Sequence, residues 1–111
     1  MTASLDQTFA ALADPTRRAI LARLLDGEAS VAELARPFAL TVRAVSKHVG
    51  VLEQAGLVTR SRAAQKRLSR IEIKPLRDID GWLADYRRLW EERLDRMEDL
   101  LRRERAEGVG E

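Results

Sequence analysis

Arg43, Ser46, Lys47 and Gly50 fall 3, 4 and 7 positions after the first of them, which puts all four on one face of a helix. Arginine in such a row can grip guanine with two hydrogen bonds, lysine can reach guanine or a phosphate, and serine can donate to or accept from either. That combination suits the major groove of DNA. Gly50 costs about 1 kcal/mol of helix propensity relative to alanine. It either permits close backbone approach to DNA or is simply tolerated, and we favour the second reading. A further basic set, Arg60, Arg62, Lys66, Arg67 and Arg70, crowds the segment that follows. Laid beside the groove, these side chains would contact phosphates and add affinity with little sequence reading. Charges on an edge hairpin also guard against strand pairing, but basic residues in such excess over acids favour phosphate contact.

Other chemistries lack their residues. There is no cysteine, which excludes disulfides, thiolate metal sites, iron–sulfur clusters and cysteine nucleophiles. The single histidine, His48, excludes a His-rich metal cage within one subunit. No Ser–His or His–carboxylate constellation recruits His48 to catalysis. It reads either as a neutral side chain packed against the preceding helix or as a phosphate donor. No phosphate-cradling glycine loop is present. The expectation is therefore no catalytic residue, no metal and no cofactor.

The elements that must position these residues are marked by punctuation. Leu5, Phe9 and Leu12 recur at helical spacing, giving a short first helix that ends near Asp14. Asp14-Pro15 restarts the chain as a helix, with Asp14 as cap and Pro15 where no N–H is needed. Ile20, Leu21, Leu24 and Leu25 form its apolar stripe, and Asp26-Gly27 closes it. Ser30 and Glu33 make a capping box for a helix that Pro37 keeps short. After a turn at Phe38-Ala39-Leu40, Thr41 caps a helix running to about Ala55, with Gly56 as terminator and Leu57 folding back. Val42 opens this helix, and Val45, Val49 and Leu52 are its expected core face. Two helices joined by a tight turn form a helix-turn-helix.

Residues 57–62 and 68–73 alternate like half-buried strands. The loop between them, Ala63-Ala64-Gln65-Lys66-Arg67, has no Gly, Asn or Pro. A hairpin is the preferred reading, and a helical reading of residues 63–68 stays open beside it. Pro75 then opens a long helix on which Leu76, Ile79, Leu83, Tyr86, Trp90, Leu94, Met97 and Leu101 step by 3 or 4, widened by Trp82, Leu89 and Leu100. Arg88/Glu92, Glu92/Arg96 and Glu98/Arg102 are expected to support its exposed face. Leu76 to Leu101 spans ~40 Å, more than so small a domain needs to cover itself. The economical second surface is the same helix from another subunit, with Leu5 and Phe9 joining the interface; folding back over its own domain is the alternative.

At 111 residues the chain has room for one domain and one modest core. Its net charge of +2 conceals a strong asymmetry. Residues 1–35 hold three basic and five acidic residues (−2), residues 36–74 nine and two (+7), and residues 75–111 eight and eleven (−3). A basic middle between acidic flanks is what a local polyanion-binding surface looks like. Met1 to Leu12 carries no signal-peptide pattern, and no stretch approaches the ~18 apolar residues of a spanning helix. The chain reads as cytoplasmic, with no membrane partner.

Three runs, Phe9-Ala10-Ala11-Leu12-Ala13-Asp14-Pro15-Thr16-Arg17-Arg18-Ala19-Ile20-Leu21, Ala44-Val45-Ser46-Lys47-His48-Val49 and Val51-Leu52-Glu53-Gln54-Ala55-Gly56-Leu57-Val58, together resemble the ArsR-type family of prokaryotic transcriptional repressors. The resemblance covers residues 5–74 in motif and 75–105 in layout. It implies a homodimer that binds an inverted repeat in double-stranded DNA, often repressing its own gene, with release by a metal or another signal. Val42, Arg43, Ser46, Lys47 and His48 match the family's recognition helix, and Gly50 stands where a larger, commonly basic residue is frequent. The paired cysteines of metal-sensing members are replaced by Val31-Ala32-Glu33-Leu34-Ala35, and residues 75–111 contain no histidine. The chain therefore resembles the non-metal branch, and its effector is not readable.

The expected architecture is mainly α with a small β-hairpin, a winged helix-turn-helix with a long C-terminal dimerisation helix. Residues 1–74 would form the DNA-binding domain, 75–105 the dimerisation helix and 106–111 a flexible tail. The expected DNA contacts are Thr41, Val42, Arg43, Ser46, Lys47, His48, Arg60, Arg62, Lys66 and Arg67. The rival expectation is a protein-interaction module whose winged fold and long helix bind an acidic partner protein.

Overall fold

Caps and glycines set most of the boundaries in the computed structural model, which describes residues 2–63 and 66–109, with side chains placed for 4–61 and 67–108. Helix α1 runs Thr2–Leu12 and α2 runs Pro15–Leu24. Between them the Asp14 carboxylate accepts from the amides of Thr16 at 2.8 Å and Arg17 at 3.1 Å. These bonds, that of Arg17 foremost, hold its carboxyl below the ordinary value of 3.8 against an opposing effect of desolvation. Helix α3 (Val31–Ala35) begins with the expected capping box: the Glu33 amide donates to Ser30 Oγ at 3.2 Å and the Ser30 amide to Glu33 Oε1 at 3.5 Å.

Helix α4 (Val42–Gln54) starts where Thr41 Oγ1 accepts from the Ala44 amide at 3.1 Å. It ends because Gly56 turns to φ +76°, in the left-handed region that favours glycine. The Leu57 amide then donates back to the Leu52 carbonyl at 2.9 Å, and Leu57 itself is fully buried.

Strands β1 (Val58–Ala63) and β2 (Lys66–Ile71) pair antiparallel, from Val58 opposite Ile71 to Ala63 opposite Lys66. The hairpin thus forms, and the helical alternative for residues 63–68 does not. Its ladder reaches further toward the tip than expected, leaving only Ala64 and Gln65, which lie outside the described residues. Ala29 and Ser69 exchange amide–carbonyl bonds of 3.0 and 2.8 Å, so the segment before α3 lies along β2 as an isolated bridge.

The core gathers Ile20, Leu21 and Leu24 of α2, Leu34 of α3, Val45, Val49 and Leu52 of α4, and Leu57 and Val58 at the hairpin's base. Leu12, Phe38, Ile71 and Leu76 pack against it half-buried. Leu25, expected on the α2 stripe, is instead 73% exposed. It sits past the last helical residue as C-cap, off the face that points inward.

Helix α5 extends Lys74–Val109, 36 residues or about 54 Å. It continues four residues beyond the expected end at 105. The chain divides into two compact units, Met1–Asp78 and Ile79–Glu111, so the division falls within α5. In the second unit Trp82, Tyr86, Leu89, Trp90, Leu94, Met97, Leu100 and Leu101 are all exposed, while Ile79 and Leu83 are half-buried. The rings of Trp82 and Tyr86 lie 5.0 Å apart, tilted at 47°. Ion pairs on α5 form at Lys74–Asp78, Asp80–Arg87 and Asp85–Arg88. The expected pairs Arg88/Glu92, Glu92/Arg96 and Glu98/Arg102 do not close to ion-pair distance among the described residues.

Candidate nucleic-acid interface

The outer face of α4 follows from its inner one. Val45, Val49 and Leu52 are fully buried, and the helical period then turns Arg43 and Lys47 to solvent, with Ser46 and Gly50 half-exposed between them. Thr41 is exposed at the cap, and Val42 stands 52% exposed in the first turn. Together Val42, Arg43, Ser46 and Lys47 offer an apolar contact, a planar fork of donors, a hydroxyl and a point charge along about one and a half turns. That set can meet a thymine methyl, a guanine edge and a phosphate.

His48 lies half-buried on the flank of this face, beside Arg17 of α2. Arg17 NH1 lies 3.4 Å from His48 Nδ1. The same guanidinium donates through Nε to the Ala11 carbonyl at 2.7 Å and through NH2 to the Ala10 carbonyl at 3.1 Å, and stands 3.9 Å from the Asp14 carboxylate. Arg17 thereby ties the open carbonyl end of α1 to α4. Sequence reasoning gave Arg17 no such role.

The basic residues of the hairpin differ in exposure. Arg67 and Arg70 are exposed. Arg70 Nε donates to Thr59 Oγ1 at 3.3 Å and stands 3.5 Å from the Glu72 carboxylate. Arg60 differs from its expected place along the phosphates. Its side chain is only 12% exposed and lies back against α4: NH2 donates to the Ser46 carbonyl at 3.3 Å, and Nε stands 3.8 Å from Glu53 Oε1. The signal was available, because Arg60 shares the inward face of β1 with Val58 two residues earlier. The side chains of Arg62 and Lys66 lie outside the described residues.

A shallow hollow of about 290 Å³ is lined by Gln7, Ala10, Ala11, Arg17, Val51, Gln54 and Ala55. Its charged member, Arg17, already donates to the Ala10 and Ala11 carbonyls and lies against His48. Among the described residues no three His, Asp or Glu side chains come together in a way that could hold a metal ion. No helix among them is long and apolar enough to cross a membrane.

Residues 12–61, the span from the end of α1 into β1, match the family model of a helix-turn-helix domain. The chain is 39% identical over 85 residues to the HTH-type transcriptional regulator Rv2034 of Mycobacterium tuberculosis, covering 77% of each protein. It is 28% identical over 82 residues to the transcriptional repressor SdpR of Bacillus subtilis, covering 74% of this chain and 91% of that one. Among solved structures, an ArsR family transcriptional regulator is 41% identical with a TM-score of 0.74, over 82% of this chain and 94% of its own. The homodimeric winged helix-turn-helix DNA-binding domain of Mb0332 from Mycobacterium bovis is 25% identical with a TM-score of 0.64, over 76% and 81%.

Proposed function

Because this chain belongs to the ArsR family of winged helix-turn-helix transcriptional regulators, we propose that it acts as a homodimeric repressor of its own or a neighbouring operon. Each protomer sets α4 in the major groove of one half of an inverted repeat and lays the hairpin beside it. The observation that carries this reading is the division of α4, with Val45, Val49 and Leu52 fully buried and Arg43, Ser46 and Lys47 on the opposite side. Repression is supported by the likeness to SdpR, described as a transcriptional repressor. Pairing is supported by the likeness to Mb0332, described as homodimeric. It is also supported by the apolar stripe from Trp82 to Leu101 that a monomer leaves in water. Leu5, Phe9, Leu76, Ile79 and Leu83 join that stripe in the proposed interface.

Thr41, Val42, Arg43, Ser46, Lys47 and His48 are the proposed groove contacts, and Arg62, Lys66 and Arg67 the phosphate contacts. The test is selection of bound duplexes from a randomised pool at about 0.15 M salt. The expected product is an inverted repeat with half-sites about 34 Å apart. A folded dimer that enriches no sequence would overturn this reading and leave the protein-interaction module in its place.

A further inference from the structure

On the DNA-binding reading α4 and the hairpin meet one duplex together, and beyond the core at the hairpin's base the Arg60 side chain links them. Val58 anchors the base of the hairpin in the core. Arg60, two residues nearer the tip on the same face of β1, runs along α4 to the Ser46 carbonyl at 3.3 Å and to within 3.8 Å of the Glu53 carboxylate. Its guanidinium passes beside Gly50, where even an added Cβ would sit in ordinary contact, 4.0 Å from Arg60 Nη2. Arginine does not deprotonate in proteins, so a full positive charge is held under cover, with its Nε buried and without a hydrogen-bond partner. Swinging out to a phosphate would break the bond to Ser46 and strip the pairing from Glu53.

We propose that Arg60 is a positioning residue for sequence discrimination, a strut that fixes the hairpin against α4 so that Ser46 and Lys47 meet the groove in one register. Groove-reading side chains hold their selectivity only when their supports fix them to within a fraction of an ångström. Arg60 therefore acts on which sequence is bound more than on how strongly phosphates are held. The inference rests on the DNA-binding reading above and adds a role that the hairpin's charge does not itself imply.

The experiment measures affinity for the selected duplex and a scrambled one across a salt series, for the parent protein, Arg60→Ala and Arg60→Lys. Arg60→Ala is expected to reduce the preference for the selected duplex about tenfold, roughly the effect of one mismatched base pair, with the salt slope unchanged. Arg60→Lys keeps the charge but lacks the fork that spans Ser46 and Glu53, so it should lose preference too, and it decides the matter if the alanine variant fails to fold. A salt slope shallower by about 2 per dimer in Arg60→Ala, near 0.9 for each arginine, would mean that Arg60 contacts phosphate and would overturn the strut. Unchanged preference and unchanged slope would overturn it as well, leaving a purely structural arginine. A parent protein with no preferred duplex fails the functional reading itself, a result distinct from either.

Discussion

Arg43 stands exposed one residue into α4, where recognition helices make their base contacts. Arg43→Ala is expected to cost about 1–3 kcal/mol on the preferred duplex and to relax the preference at one base position. Repeating the duplex selection checks this, and an unchanged preferred sequence would place a different surface in the groove. Asp14 supports the same face from below, because the helix it caps carries Arg17, and Arg17 fixes the His48 ring. Its folded pKa lies below 3.8, so the cap contributes fully above that value and the contribution is lost as pH falls through the depressed one. Asparagine caps nearly as well without a charge. The melting-temperature advantage of the parent over Asp14→Asn should therefore shrink as the medium is acidified below pH 3.8, and a constant gap in a thermal melt series would contradict the assignment. At this scale the sequence was legible for residues whose role follows from helical period, as with Val45, Val49 and Leu52 against Arg43 and Lys47. It was less so for Arg60 and Arg17, whose partners lie 14 and 31 residues away, and composition alone turned every hairpin arginine outward.

Elements were legible where their boundaries are local. Asp14, Ser30, Thr41 and Gly56 each act within a few residues of themselves, and each ends or begins a helix where its chemistry requires. The hairpin's length was harder to read, because nothing in Ala63–Arg67 favours a turn and the ladder was free to extend to Ala63 and Lys66. The bridge between Ala29 and Ser69 leaves no local trace at all, since it pairs backbone across 40 positions. Helix α5 is the opposite case. Its stripe recurs every eleven residues, as Ile79, Trp90 and Leu101, as Leu83 and Leu94, and as Tyr86 and Met97. Eleven residues over three turns is about 3.67 per turn, slightly above the free helix at 3.6, so two such stripes stay in contact along their length with a gentle right-handed supercoil. Such a stripe suits a similar helix laid alongside. Replacing Leu83 and Trp90 together by Asp sets two charges into that seam, and the double variant is expected to sediment as a monomer while keeping its helical circular dichroism. An intact dimer would remove α5 from the interface.

The whole molecule carries a formal charge of +2, and on that number alone its attraction to a polyanion would be slight and nearly independent of salt. The distribution argues otherwise. Residues 36–74 hold +7 against −2 and −3 on either side, and those residues are α4, the hairpin and their flanks. Counterions leave DNA in proportion to the phosphates that are neutralised locally, so the acidic flanks do not cancel the effect if they lie beyond the roughly 8 Å over which physiological salt screens a charge. A dimer that neutralises about six phosphates, three per protomer, should show log affinity falling against log salt with a slope near −5, or about 10³-fold between 50 and 200 mM. Titration of a scrambled duplex isolates this contribution, because phosphate contact is indifferent to sequence. The selected repeat should show a similar slope at higher affinity, since base contacts add binding without releasing further counterions. A slope near zero on both duplexes would show that the basic middle faces something other than DNA. A steep slope with no difference between the duplexes would leave a DNA-binding protein whose α4 does not read sequence.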